Sequence, residues 1–463
     1  MKKTSAVFNN DAKGCYDRII PSFGMAACRR VGLPSNVINM FLTTLRQMQF
    51  WVRSAYGVSN GFYGNNESAN LPPLHQSNAS ILAIHGNIHG MMQGSSSAPA
   101  VWLLVHLVIF SALSLAAPGF TATCSRRRIT CSRKGEGFVD DTDLWVTTND
   151  TTRSEDILSS LQTLARLWHT YLVISGGALG INKCFYYHLA WKWNSSGTAS
   201  LINTLTEDTN ITLEDNATNA EIPIQQIKPS KGLRTLGVRL APDGNFNDEF
   251  LFRMEQYETV ARQLKKVRLT RFEARLAYER VWWPKISYPL AVTDFSKKQC
   301  SKLQKKFDKC FLGAMGINRR MPKAVIHGPK KLGGLQHKHI STEQGCLHVS
   351  LLLYHLRHPE DEPCQQLSRV NLSHIAIESG LSQPVFSTEA PITQLVQYLL
   401  PSFMKTTWEY LHEHNASIQS PSIPNLQTQR QHDQFLMIIF CESSSPANDL
   451  RKLQRCRLFL QAL

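Results

Sequence analysis

Polar and apolar positions follow two different rhythms along this 463-residue chain. Up to about residue 245 short apolar runs alternate with stretches of helical spacing; from Phe250 helical spacing dominates. Val7 and Phe8 read as the end of a strand running into Asp11. Pro21 to Arg30 and Pro34 to Met48 read as helices, each with Pro at its start, where a missing N–H costs nothing. Trp51 to Val58 reads as a strand, and residues 59–88, rich in Gly, Asn, Ser and Pro, as a loop or hairpin insert. Ala100 to Ala117 carries no formal charge and lies between Pro99 and Pro118. Its length is at the threshold for a membrane span. His106, Ser111 and Ser114 interrupt it, and a helix enclosed by a sheet and other helices is equally apolar all round. A buried soluble helix is expected.

Thr121 to Lys134 reads as a polar, basic connection, and Gly137 to Thr147 as a hairpin with an acidic turn. Ser154 to Ile174 has the spacing of an amphipathic helix, closed by Gly176 and Gly177. Trp191 to Ile222 reads as a polar surface excursion, and Leu233 to Leu240 as one strand before the turn Pro242-Asp243-Gly244. Leu303, Phe307, Cys310 and Phe311 fall at i, i+4, i+7 and i+8 among Lys302, Lys305, Lys306 and Lys309, which predicts an amphipathic helix with a basic outer face. Strands first and basic helices afterwards predict an α+β domain followed by a helical one. Residues 346–463 carry helical patterns of unassigned role.

Charge sharpens this division. The formal net charge is +15, and between Leu251 and Ile340 there are 21 Lys and Arg against 6 Asp and Glu, so one segment holds the whole excess. Such a surface suits a polyanion, because each neutralised phosphate releases a condensed counterion; a solvated lysine-rich face is the other reading. The 11 cysteines show neither C-x-x-C nor zinc-ligand spacing, which fits reduced thiols in an intracellular compartment, nucleus or cytoplasm. Met1 to Asn10 has two lysines but no apolar run behind them, unlike a secretory signal.

Three carboxylates carry the candidate chemistry: Asp11 at a strand end, and Asp140 and Asp141 at a hairpin tip. Phosphoryl transfer to a 3′-hydroxyl uses two divalent cations roughly 3.5–4 Å apart, held by carboxylates on adjoining strands. Mg²⁺ takes oxygen ligands and keeps some of its water, so a few Asp are enough.

Asp11-Ala12-Lys13-Gly14-Cys15-Tyr16-Asp17 resembles motif A of reverse transcriptases, the RNA-directed DNA polymerases of retrotransposons lacking long terminal repeats. Gln93-Gly94-Ser95-Ser96-Ser97-Ala98-Pro99 resembles motif B, with Ala98 where Ser usually precedes Pro. Phe138-Val139-Asp140-Asp141 resembles motif C, Gly177 to Lys183 motif D, and Leu236-Gly237-Val238 motif E. Gly328 to Leu335 resembles a segment found past the polymerase core of some such elements. The motifs run in family order over residues 5–245.

The resemblance implies a right-hand polymerase palm over 1–245, with a ferredoxin-like antiparallel sheet and an insert at about 59–88. It implies a basic helical thumb over 246–345, leaving 346–463 as a C-terminal helical region. Asp11 and Asp140 would be the principal ligands of two Mg²⁺ ions, with Asp141 supporting and Mn²⁺ as a substitute. Lys183 would protonate the leaving pyrophosphate, although a surface lysine beside a Gly turn reads the same way. Tyr16 would exclude a 2′-hydroxyl, unless it is a core tyrosine, while Gln93 and Gly94 would lie against the nascent base pair. Asp17 reads as structural. Lys302, Lys305, Lys306 and Lys309 would track the phosphates of an RNA template paired with a DNA primer. Deoxynucleoside triphosphates would be the substrates, with no membrane involved. The family's fingers precede motif A, where this sequence has ten residues, so a truncation before the palm is expected, with poor polymerisation. A non-catalytic nucleic-acid-binding remnant is the alternative.

Overall fold

The computed structural model describes residues 3–463 apart from 65–89, 92–94, 125–128, 149–153, 196–198, 206–210, 216–217, 268, 319, 389–391, 393–395, 424–425, 427–429, 431, 444, 461 and 463. The chain is α+β and forms two compact units. One comprises Met1–Phe120, Arg133–Ala190 and Thr204–Ile227; the other comprises Thr121–Ser132, Trp191–Asn203 and Lys228–Leu463.

The first unit is built on a five-stranded sheet. Its spatial order is Gln225–Ile227, Phe185–Leu189, Ser5–Asp11, Asp141–Thr147 and Gly135–Phe138. The expected antiparallel sheet needs one correction: Gln225–Ile227 runs parallel to Phe185–Leu189, a pairing that requires a crossover rather than a hairpin. Along the central strand Ala6, Phe8 and Asn10 are buried and alternate with half-buried Val7, Asn9 and Asp11. Thr142, Leu144 and Val146 of the neighbouring strand repeat that period of two. The buried faces meet the helix Ser154–Ile174 through Leu161, Leu164, Ala165, Trp168 and Leu172, one stripe of a 3.6-residue helix.

The apolar helix spans Ala98–Ala116 and packs on Pro21–Arg30 and Ser154–Ile174. It is long and apolar enough to cross a membrane by composition, but Val101, Trp102, Val105, His106, Ile109 and Leu113 face the core. The expectation of burial all round is corrected on the opposite face, where Leu103, Leu107 and Leu115 are exposed. Of the expected insert, Gly57–Gly64 pairs with Gln49–Ser54, and residues 65–88 lie outside the described set.

In the second unit, Tyr257, Tyr278, Trp283, Phe307 and Phe311 centre one apolar cluster, and Leu372, Phe386, Trp408 and Met437 another. Two further sequence expectations are corrected here. Thr121 to Lys134 contains paired strands, Phe120–Cys124 and Ile129–Arg133. Leu233 to Leu240 is two strands, Leu233–Thr235 and Val238–Leu240, turning at Leu236 and Gly237 with φ of 48° and 86°. Two successive left-handed residues are what a tight hairpin turn demands.

Candidate active site

Asp11 ends the central strand and Asp141 opens its neighbour, and the two are direct partners across the antiparallel pair. Opposed residues project to the same face, so both carboxylates stand on the half-buried face of the sheet, opposite Phe8 and Leu144. Phe138 pairs with Asp141, leaving Val139 and Asp140 as a two-residue turn. Val139 has φ of 57°, a left-handed conformation that costs a β-branched residue roughly 1–3 kcal/mol. Its surroundings hold it there: the Trp102 indole N–H donates to the Val139 carbonyl. The Ala12 N–H donates to the Asp140 carbonyl at 2.9 Å, tying the turn to the residue after Asp11.

The segment before Lys183 lies along the same strand end. The Lys13 N–H donates to the Ala178 carbonyl at 2.8 Å, and the Gly180 N–H to the Asp11 carbonyl at 2.9 Å. A single 3₁₀ turn, Ile181–Lys183, then brings the Lys183 ammonium onto Asp11 Oδ2. The Lys183 side chain is exposed and that of Asp11 largely covered. The hydrogen bond and charge of Asp11, followed by the charges of Asp140 and Asp141, hold Lys183 above the ordinary lysine pKa.

Tyr16 lies on the short helix Cys15–Arg18, partly buried against the core. Burial raises its pKa, with smaller contributions from Cys15 and Asp140. Burial, then Asp140, pushes the Cys15 thiol up to about 11, which leaves it protonated and unreactive at neutral pH. Gln93 and Gly94 lie outside the described residues. In the second unit, Lys302, Lys305 and Lys309 are exposed along Lys297–Ala314. Lys306 departs from the expected open basic face, since Glu258 takes its ammonium at 2.5 Å.

Sequence reasoning missed Asn9 and Asp143, the next cross-strand pair on the same half-buried face. Asn9 Nδ2 donates to Asp143 Oδ1 at 2.6 Å. Burial raises the Asp143 pKa; the Asn9 bond opposes this, and the Asp141 and Glu136 charges add to it. The signal was the period of two counted from Asp141.

Among the described residues, no three His, Cys, Asp or Glu side chains converge into a cage that could hold a metal ion. Mg²⁺ bound together with substrate phosphates needs about one or two carboxylates and keeps several waters. Asp11 and Asp141 offer that much, and a cation, the Lys183 ammonium, already rests on Asp11. The donor set fits Mg²⁺ or Mn²⁺ on those terms.

Behind the sheet, His106 is packed among Trp102, Phe110 and Trp168, with ring centroids at 4.4, 6.0 and 5.5 Å. A Cβ at Gly137 would lie 2.9 Å from its Nδ1, so the hairpin carries glycine there. Burial pushes the His106 pKa from 6.5 down to about 4. The unfolded chain therefore binds a proton that the folded one refuses. The contribution of this histidine to stability is fully present above pH 6.5 and is lost as pH falls toward 4, a loss on the order of 3 kcal/mol. His106→Phe is expected to flatten this slope, as read by urea unfolding at about pH 5 and about pH 8.

No protein-family model and no curated protein matches the chain. Among solved structures, it is similar to telomerase from Candida albicans in complex with a TWJ fragment of telomeric RNA. That similarity has 13% identity and a TM-score of 0.20, covering 75% of this chain and 47% of the other. Telomerase from Candida tropicalis, also with a TWJ fragment of telomeric RNA, gives 12% identity and a TM-score of 0.19 over 80% and 49%. The chain spans about half the length of these two structures. Overlaps of that size do not assign a fold.

Proposed function

We propose that this chain is a template-directed nucleotidyltransferase of the reverse-transcriptase kind, adding deoxynucleoside monophosphates to a DNA primer on an RNA template. The observation that carries this reading is the register of Asp11 with Asp141, with Asp140 in the adjoining turn. Two divalent ions, when bound, would activate the primer 3′-hydroxyl and stabilise the leaving pyrophosphate. Asp11 and Asp140, supported by Asp141, would hold them. Lys183, whose ammonium rests on Asp11, would serve as the acid for pyrophosphate. The Tyr16 ring would lie under the incoming sugar and exclude a 2′-hydroxyl.

The basic helix is proposed to bind the phosphates of the template–primer duplex. Replacing Lys302, Lys305, Lys306 and Lys309 by Gln is expected to reduce the slope of log affinity against log salt by about 3, since each phosphate contact contributes about 0.9. Lys306, already paired with Glu258, adds little. An unchanged slope would mean that these lysines are simply solvated.

The catalytic reading is tested by primer extension on an RNA template with Mg²⁺, comparing wild type with Asp140→Asn. Extension by wild type, slow as it is expected to be, that Asp140→Asn abolishes supports it; extension by the variant equal to that of wild type rejects it.

A further inference from the structure

The core side of the strands that carry the carboxylates is not wholly apolar. Asn10 follows Ala6 and Phe8 in the inward-facing series and is fully buried. A buried amide is tolerated only when its polar atoms are satisfied, and both of its ends are. The Trp168 indole N–H donates to Asn10 Oδ1 at 2.9 Å, and Asn10 Nδ2 donates to the Thr142 carbonyl at 2.9 Å. Chemistry dictates the amide's orientation, because an indole N–H can only donate and a carbonyl can only accept. A second indole, Trp102, donates to the Val139 carbonyl. Both tryptophans are themselves buried.

These bonds end on particular backbone groups. Thr142 follows Asp141, Val139 precedes Asp140, and Asn10 precedes Asp11. Among the described residues, His106 Nε2 and Thr142 Oγ1 of the same layer have no hydrogen-bond partner. A slip of one residue between the central strand and the hairpin would send Asp11 and Asp141 to opposite faces. The Asn10 bridge resists that slip, and the Trp102 bond holds the left-handed turn that presents Asp140.

We infer that Trp102, and Trp168 acting through Asn10, are positioning residues that set the carboxylate geometry from behind the sheet; this rests on the ion-binding reading of the carboxylates. Outer partners that orient metal ligands typically change affinity by about 10- to 100-fold when removed.

The experiment uses Trp102→Phe, Trp168→Phe and Asn10→Leu in the full chain, each kept below its measured unfolding range. Mn²⁺ affinity is read from the electron paramagnetic resonance of the free ion. Amide exchange of the hairpin Gly135–Thr147 is followed separately without added metal. The expected result is Mn²⁺ binding weakened roughly tenfold in each variant, with faster hairpin exchange. Trp168→Phe should add nothing once Asn10 is Leu, because the two act along one path. Faster exchange with unchanged Mn²⁺ affinity would make the bonds merely structural and overturn the inference, as would additive losses in the double variant. If wild type and Asp140→Asn alike fail to bind Mn²⁺, the functional reading itself falls, and this inference with it.

Discussion

Asp140→Asn is expected to lower nucleotide addition in Mg²⁺ roughly a thousandfold, because Lewis-acid stabilisation is worth several kcal/mol and each ~1.4 kcal/mol is a factor of ten. Asn has nearly the shape of Asp, and the contact that anchors the turn uses the Asp140 backbone carbonyl, not its side chain. The hairpin should therefore survive, with unchanged circular dichroism. Single-turnover incorporation on an RNA template gives the rate. Lys183→Met is the informative companion. Its ammonium occupies Asp11 Oδ2, so its removal should tighten Mn²⁺ binding while slowing addition by about 10²–10⁴ through loss of the acid. Opposite movements of affinity and rate would separate a competing cation that is also a proton donor from a lysine that only holds the loop. Asp140→Asn turning over within about tenfold of wild type would exclude Asp140 from the chemistry.

What the sequence reveals depends on whether local spacing carries the information. Asp11, Asp140 and Asp141 were legible because a strand end and a hairpin tip leave local signatures, and family order linked them across about 130 residues. Asp143 needed only the alternation of the strand after Asp141, but Leu144, Trp145 and Val146 read as a continuous apolar exit and hid it. Asn10 was illegible as a bridge, since its partners Trp168 and Thr142 are 158 and 132 residues away. The helix Ala98–Ala116 could be placed but not oriented: with leucines on every side, periodicity cannot tell that Leu103 and Leu107 are exposed while Val105 and Ile109 are buried. Leu236 concealed a turn because a Leu with positive φ is rare; Gly237 was the only hint. The Lys297–Ala314 face was correctly amphipathic, but spacing within one helix cannot show that Lys306 is taken by Glu258, 48 residues earlier.

Glu249→Ala is expected to destabilise the second unit by about 3–5 kcal/mol, the range for breaking a buried ion pair. In sequence, Glu249 and Arg253 look like an ordinary i, i+4 surface pair, worth roughly 0.2–0.5 kcal/mol. In the fold, Glu249 is fully buried and Arg253 nearly so. Glu249 Oε1 accepts from Arg253 Nε at 2.5 Å, and Oε2 accepts from the Arg239 backbone N–H at 2.8 Å. The guanidinium goes on to donate to the carbonyls of Lys285 at 3.0 Å and Gly237 at 3.3 Å. One carboxylate thus joins the Leu233–Leu240 hairpin to the helix Asn247–Lys266, and through Arg253 to the helix Trp283–Leu290. Removing it strands a buried cation and a backbone donor together. The expected signature is a fall in the unit's melting midpoint on the order of 10 °C, at about 2–4 °C per kcal/mol for a unit of this size. Replacing both partners, as Glu249→Leu with Arg253→Met, should recover most of that loss, because a desolvated pair exchanged for apolar side chains costs far less than a broken one. Calorimetry on the three proteins decides the matter. Equal losses in the single and double variants would mean that the hairpin depends on the bonds themselves, and a loss below about 1 kcal/mol would return the pair to the status of a surface salt bridge.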